Sequence, residues 1–122
     1  MTSRAALALA GLLTAGGVAH FAVPGFFDAI VPAPPLPGTP RFWTHASGVA
    51  ELGVAAAVAA PRTRPLGALA AVALFVAVFP ANVKMALDWS DRSAAEQAIA
   101  WGRLPLQVPL VLWALKVRRD AR

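Results

Sequence analysis

A chain of 122 residues has room for one domain, and 58% hydrophobic against 14% charged residues is too apolar for a soluble domain of this size to bury. The absence of cysteine excludes disulfides, thiolate metal sites and CxxC redox chemistry. A net charge of +5 carried by nine Arg and two Lys, in an Ala-rich chain, suggests a GC-rich bacterial genome.

Four apolar stretches follow one another, each bounded by charges and prolines. The first runs from about Ala5 to Val23 and stops at Pro24-Gly25. Arg4 and the Ala-Leu run after it also have the shape of a signal peptide. Continuation through Phe21, Ala22 and Val23 favours a retained span, and so does the misplaced charge that cleavage would leave. Between Pro24 and Pro40, Phe26-Phe27-Asp28-Ala29-Ile30-Val31 reads as a short amphipathic segment. The prolines at 32, 34, 35, 37 and 40 then read as a stiff return path, so the stretch is either a lid or a plain connector. The second span covers about Phe42 to Ala60, closed by Pro61-Arg62-Thr63-Arg64-Pro65. The third covers Leu66 to about Val83 and the fourth about Ala98 to Leu115. Each is close to the ~20 residues a helix needs to cross about 30 Å of hydrocarbon. Strand alternation is missing.

These spans predict an all-α integral membrane protein, a four-helix up-down bundle forming a single domain over 1–122 with a Pro-rich first external loop. Arg4, Arg62, Arg64, Lys116, Arg118, Arg119 and Arg122 fall at one side of that path, so the positive-inside rule places both termini in the cytoplasm. The expected location is the bacterial cytoplasmic membrane, with membrane lipids as partners. The positive charge reads as a topology signal, not a nucleic-acid face. Trp43, Trp89, Trp101 and Trp113 lie near span ends, as interface anchors do. Gly11, Ala15 and Gly16 in the first span, with Gly48, Gly53 and Ala56 in the second, allow close helix contact.

Ionisable and amide side chains inside apolar spans are the strongest functional hints, because burying them in hydrocarbon is costly. Glu51 lies roughly 13 Å below the outer boundary at 1.5 Å per residue, with Ser47, Thr44 and Gly48 on its face. Arg103 and Gln107 enter from the same side, and Asn82 tops the third span above Phe79 and Phe75. His20 and His45 sit near the outer ends of the first two spans. The six side chains Glu51, Asn82, Arg103, Gln107, His20 and His45 are therefore expected to converge in the outer half. They form either a Glu51–Arg103 pair with amide glue, or a polar-headed pocket for a quinone or lipid in which the histidines and Glu51 move protons. Pro80, Pro105 and Pro109 are expected to interrupt the last two spans and aim polar groups inward. No ligand spacing supports a metal, and no motif names a reaction.

Several stretches resemble the DoxX family of small bacterial membrane proteins: His20-Phe21 through Pro24 to Ile30-Val31-Pro32, Pro40-Arg41-Phe42-Trp43, Ser47-Gly48-Val49-Ala50-Glu51-Leu52, Pro61-Arg62-Thr63-Arg64, Leu74 through Phe79-Pro80-Ala81-Asn82, and Arg103-Leu104-Pro105-Leu106-Gln107. The resemblance implies a four-helix transmembrane bundle. It also implies a part in a membrane redox system, as an auxiliary subunit or quinone-binding partner of a membrane or soluble redox protein. Two alternatives stand beside it. One is a protein binding or modifying a lipid or small hydrophobic ligand through Glu51, and the other is a purely structural subunit; self-association is compatible with each.

Overall fold

Arg4–Ala22 (α1), Pro24–Asp28 (α2), Pro40–Ala59 (α3), Arg64–Asp88 (α4) and Ala94–Asp120 (α5) are helical in the computed structural model, which describes residues 3–31 and 37–121 and contains no strand among them. The prolines at 32, 34 and 35, on which the expected stiff return path rested, lie outside the described residues. Local sequence explains where the helices start. Ser3 accepts a hydrogen bond from the Ala6 amide, Thr39 from Phe42 and Ser93 from Glu96, each satisfying a first-turn N–H that has no helical partner. Pro24, Pro40 and Pro65 occupy first-turn positions, where the missing N–H costs nothing.

The long helices outrun the predicted spans. α4 passes Val83 and continues to Asp88, while α5 begins at Ala94, ahead of Ala98. Pro80, Pro105 and Pro109 do not break their helices; each removes one ladder bond and frees the carbonyl of Val76, Trp101 or Pro105. Among the described residues three helices, α1, α4 and α5, are long and apolar enough to cross a membrane. α3 is also long, at 20 residues, but Arg41, Thr44, His45, Ser47 and Glu51 make it more polar than those three. Large apolar side chains stand outward on all four long helices, among them Val18 on α1, Val49 on α3, Leu66 and Val76 on α4, and Val108 on α5. Such an exposed apolar surface fits an apolar surrounding, as the span-length helices do.

Two tight pairs build the molecule, α1 on α3 and α4 on α5, with α3 and α4 joined through a short turn. Glycine permits the closest approaches. A Cβ on Gly48 would fall 2.8 Å from His20 Cβ and 2.7 Å from Phe21, and one on Gly17 would fall 2.7 Å from Leu52. Gly11 and Gly53, expected at this contact, face open space. At the α3–α4 turn the buried Arg64 guanidinium donates to the carbonyls of Val58 and Ala59, 2.8 and 2.9 Å away, and so caps the last turn of α3. Trp113 Nε1 donates to the Ala5 carbonyl at 2.9 Å and ties α5 to the start of α1. This tryptophan is therefore a structural link rather than the simple anchor expected. Leu9, Leu13, Val58, Ala68, Ala71 and Val117 fill the core at this end.

At the opposite end α2 is anchored on both pairs. Thr44 donates to Asp28 Oδ1 at 2.6 Å, Arg41 Nε donates to Asp28 Oδ2 at 2.9 Å, and Lys84 Nζ donates to the Ala29 carbonyl at 3.1 Å. Ile30 packs with Met85, Ala86 and Ala100. The Thr44 hydroxyl first, then Arg41, hold the Asp28 carboxyl below the usual carboxylate range. A carboxyl whose pKa is depressed by folding stabilises the fold above its ordinary value of about 3.9, and loses that contribution as pH falls through the depressed one. Backbone protection in α2, corrected for the intrinsic exchange rate, should therefore fall below pH about 4, and Asp28→Asn should show the lower protection already at pH 7. Identical protection for wild type and variant at both pH values would refute the anchor.

Candidate polar cavity

The two helix pairs leave a half-open cavity of about 770 Å³ between them. α1 contributes Leu12, Leu13, Gly16 and His20, α3 contributes Thr44, Ser47 and Glu51, α4 contributes Leu74, Phe75 and Asn82, and α5 contributes Arg103, Gln107 and Leu110. Phe27 and Ile30 bring the α2 segment against it. Polar groups gather toward the α2 end, and Leu12, Leu13, Leu74, Phe75 and Leu110 line the deeper part.

His20 Nδ1 is 2.6 Å from the Gly16 carbonyl one turn earlier. A carbonyl only accepts, so Nδ1 carries the hydrogen. The same nitrogen is 3.1 Å from Glu51 Oε2, and both side chains are largely withdrawn from the surface, at 11% and 17% exposure. Gly16 makes this arrangement fit, since a Cβ there would fall 2.6 Å from Glu51 Oε1. Phe27 lies flat on the imidazole, with centroids 3.8 Å apart and planes 17° off parallel. The ring is thus held by a carbonyl, a carboxylate and an aromatic face.

Across the cavity the expected Glu51–Arg103 pair does not form. Arg103 directs Nη1 at the Met85 sulfur, 3.2 Å away, and its guanidinium sits 5.9 Å from the Phe26 ring. Among the described residues it has no carboxylate partner. Glu51 instead takes the histidine of the helix it packs against, because Gly16 lets α1 come closer than α5 does. Gln107 Oε1 is buried without a hydrogen-bond partner. Asn82 is 5% exposed and lines the cavity.

Five of the six singled-out side chains therefore surround one cavity. His45 does not join them: it stands outward, stacked on Phe21 at 5.0 Å. Phe79 is likewise turned outward, and Phe75 alone of that aromatic pair lines the wall. The short segment read from Phe26 to Val31 is the α2 wall; sequence reasoning missed its Asp28–Thr44 anchor and its helix start at Pro24. No group of three His, Asp or Glu side chains gathers as metal ligands among the described residues.

A family model described as Domain of unknown function (DUF8561) matches residues 9–118, and the chain belongs to that family. This overturns the resemblance to the DoxX family. The stretches that suggested it, such as Phe79-Pro80-Ala81-Asn82 and Arg103-Leu104-Pro105-Leu106-Gln107, are short apolar runs punctuated by proline and one or two polar groups, a pattern that membrane helices of different families share. The expected part in a membrane redox system rested on that resemblance and goes no further; the quinone, expected also from the polar residues, loses its redox support with it. No curated protein and no solved structure matches the chain.

Proposed function

We propose that this DUF8561 protein is a multi-pass membrane protein whose four long helices cross the bilayer up and down, and that its cavity receives the polar end of an amphipathic ligand. The observation that carries the reading is the cavity itself: about 770 Å³, apolar in depth, with Arg103, Asn82, Gln107 and the His20–Glu51 pair at one end. Ligand sites are concave and mostly apolar, with a few convergent polar groups that fix orientation. Gln107 Oε1 supports it, because a buried acceptor left without a partner costs about 1–3 kcal/mol and a ligand donor would recover that. Filling the cavity tests the proposal. Ser47→Phe should keep the helical content and melting temperature of the wild type, and native mass spectrometry after mild extraction should show a bound lipid-like molecule in the wild type alone. A wild type extracted without any such molecule would count against the reading.

α3 would cross with the other three, Thr44, Ser47 and Glu51 sheltered by α1, α2 and the cavity, and Arg41 and His45 outward near its α2 end. The basic residues at the α3–α4 turn and at both chain ends support a cytoplasmic position for those segments, with α2 and the α4–α5 turn on the other side. The chain lacks cysteine, so single-cysteine labelling reads this directly. An impermeant maleimide should modify Asp91→Cys in intact cells and Arg118→Cys only after lysis. The reverse pattern would invert the topology.

A further inference from the structure

We infer that the ligand is an amphiphile with an acidic headgroup, either a carboxylate held by Arg103 or a phosphate monoester held by Arg103 and Gln107; this rests on the cavity reading above. Charge comes first. His20, Glu51 and Arg103 are the ionisable side chains of the wall, and two of them are already joined, His20 Nδ1 lying 3.1 Å from Glu51 Oε2. That leaves the Arg103 guanidinium with a thioether and an aromatic face, neither of which neutralises it. A planar guanidinium presents paired N–H donors that match a carboxylate or phosphate, and such charge-assisted bonds are the strong ones.

Gln107 narrows the choice. It stands one turn from Arg103 on α5, at the i+4 position, so one headgroup can reach both. Its buried amide oxygen needs a donor. A singly ionised phosphate monoester supplies it through its P–OH while an anionic oxygen faces the arginine; a fatty carboxylate is acceptor-only and satisfies Arg103 alone. A quaternary ammonium headgroup offers neither, and would meet Arg103 as a like charge.

Size sets the tail. A cavity of about 770 Å³ has room for a long acyl chain with its headgroup. Leu12, Leu13, Leu74, Phe75 and Leu110 line the deep wall where that chain would lie.

Binding to the purified full chain in a mild detergent tests this with four C18 probes: oleate, oleyl phosphate, oleyl alcohol and oleyl trimethylammonium. Oleate or oleyl phosphate should bind at least about tenfold more tightly than the alcohol, and the ammonium more weakly still. The order of the two acids tells which acid the site prefers. Arg103→Gln should erase the acid preference, with helical circular dichroism and melting temperature matching the wild type to show that the variant is folded; Gln107→Leu should weaken oleyl phosphate by about fivefold and leave oleate nearly unchanged. Equal binding of all four probes, unchanged in Arg103→Gln, would overturn the headgroup assignment and leave the cavity reading standing. No binding by any probe, together with an extracted wild type free of lipid, would overturn both.

Discussion

Gly67→Val should cost the protein about 3 kcal/mol and open the α3–α4 turn. A Cβ at position 67 would lie 2.7 Å from the Ala57 carbonyl carbon and 2.8 Å from the Val58 nitrogen, both backbone atoms. No side chain can rotate away to make room, so one helix must shift. The shift would spread, because Arg64, one turn earlier on α4, donates to Val58 and Ala59 on the same strip of α3. Buried carbonyls that lose such donors carry their own penalty. Gly11→Ala and Gly53→Ala are the controls: nothing lies within 4 Å of either added Cβ, and replacing a helical glycine should leave stability equal or raise it by about 0.5–1 kcal/mol. Thermal loss of helical circular dichroism in detergent reads all three. A Gly67→Val protein melting with the wild type would show that the helices are not in contact there.

His20→Leu should be nearly as damaging, at about 3 kcal/mol, whereas Glu51→Leu should cost only about 1 kcal/mol. The asymmetry follows from the shared nitrogen. Without Glu51, His20 Nδ1 still donates to the Gly16 carbonyl at 2.6 Å and the ring still stacks on Phe27. Without His20, the Glu51 carboxylate loses its one described partner in a partly buried place. The double variant His20→Leu with Glu51→Leu should recover most of what His20→Leu loses, because the stranded charge is gone. Measured side by side in one cycle, equal losses from the two single changes, or a double variant worse than either, would refute the arrangement.

How much of this was legible beforehand differs between fold and site. The helices were, since each rests on local signals: long apolar runs, capping by Ser3, Thr39 and Ser93, and turns at Pro61 and Pro65. Boundaries were less so. Pro80 and Pro105 read as interruptions, yet a helix that loses one ladder bond is still held by its neighbours, and both helices run on. α2 was ambiguous because five residues form no stable helix alone; Thr44, Arg41 and Lys84 hold it from three other places in the chain.

Composition and periodicity by themselves determined an all-helical chain with apolar stretches long enough to span a membrane, and they identified the polar side chains unusual in such stretches. Spacing along a helix also placed Glu51, Asn82, Arg103, Gln107, His20 and His45 in one half of the bundle, which made the convergence visible for all but His45, whose helix face points outward. Which of them would touch was decided only by the tertiary structure. Depth follows from a rise of 1.5 Å per residue, but pairing depends on how closely two helices approach and on their rotation about their own axes. Gly16 and Gly48 draw α1 onto α3, so Glu51 meets His20. Arg103, on the far side of the cavity, is left facing the space between.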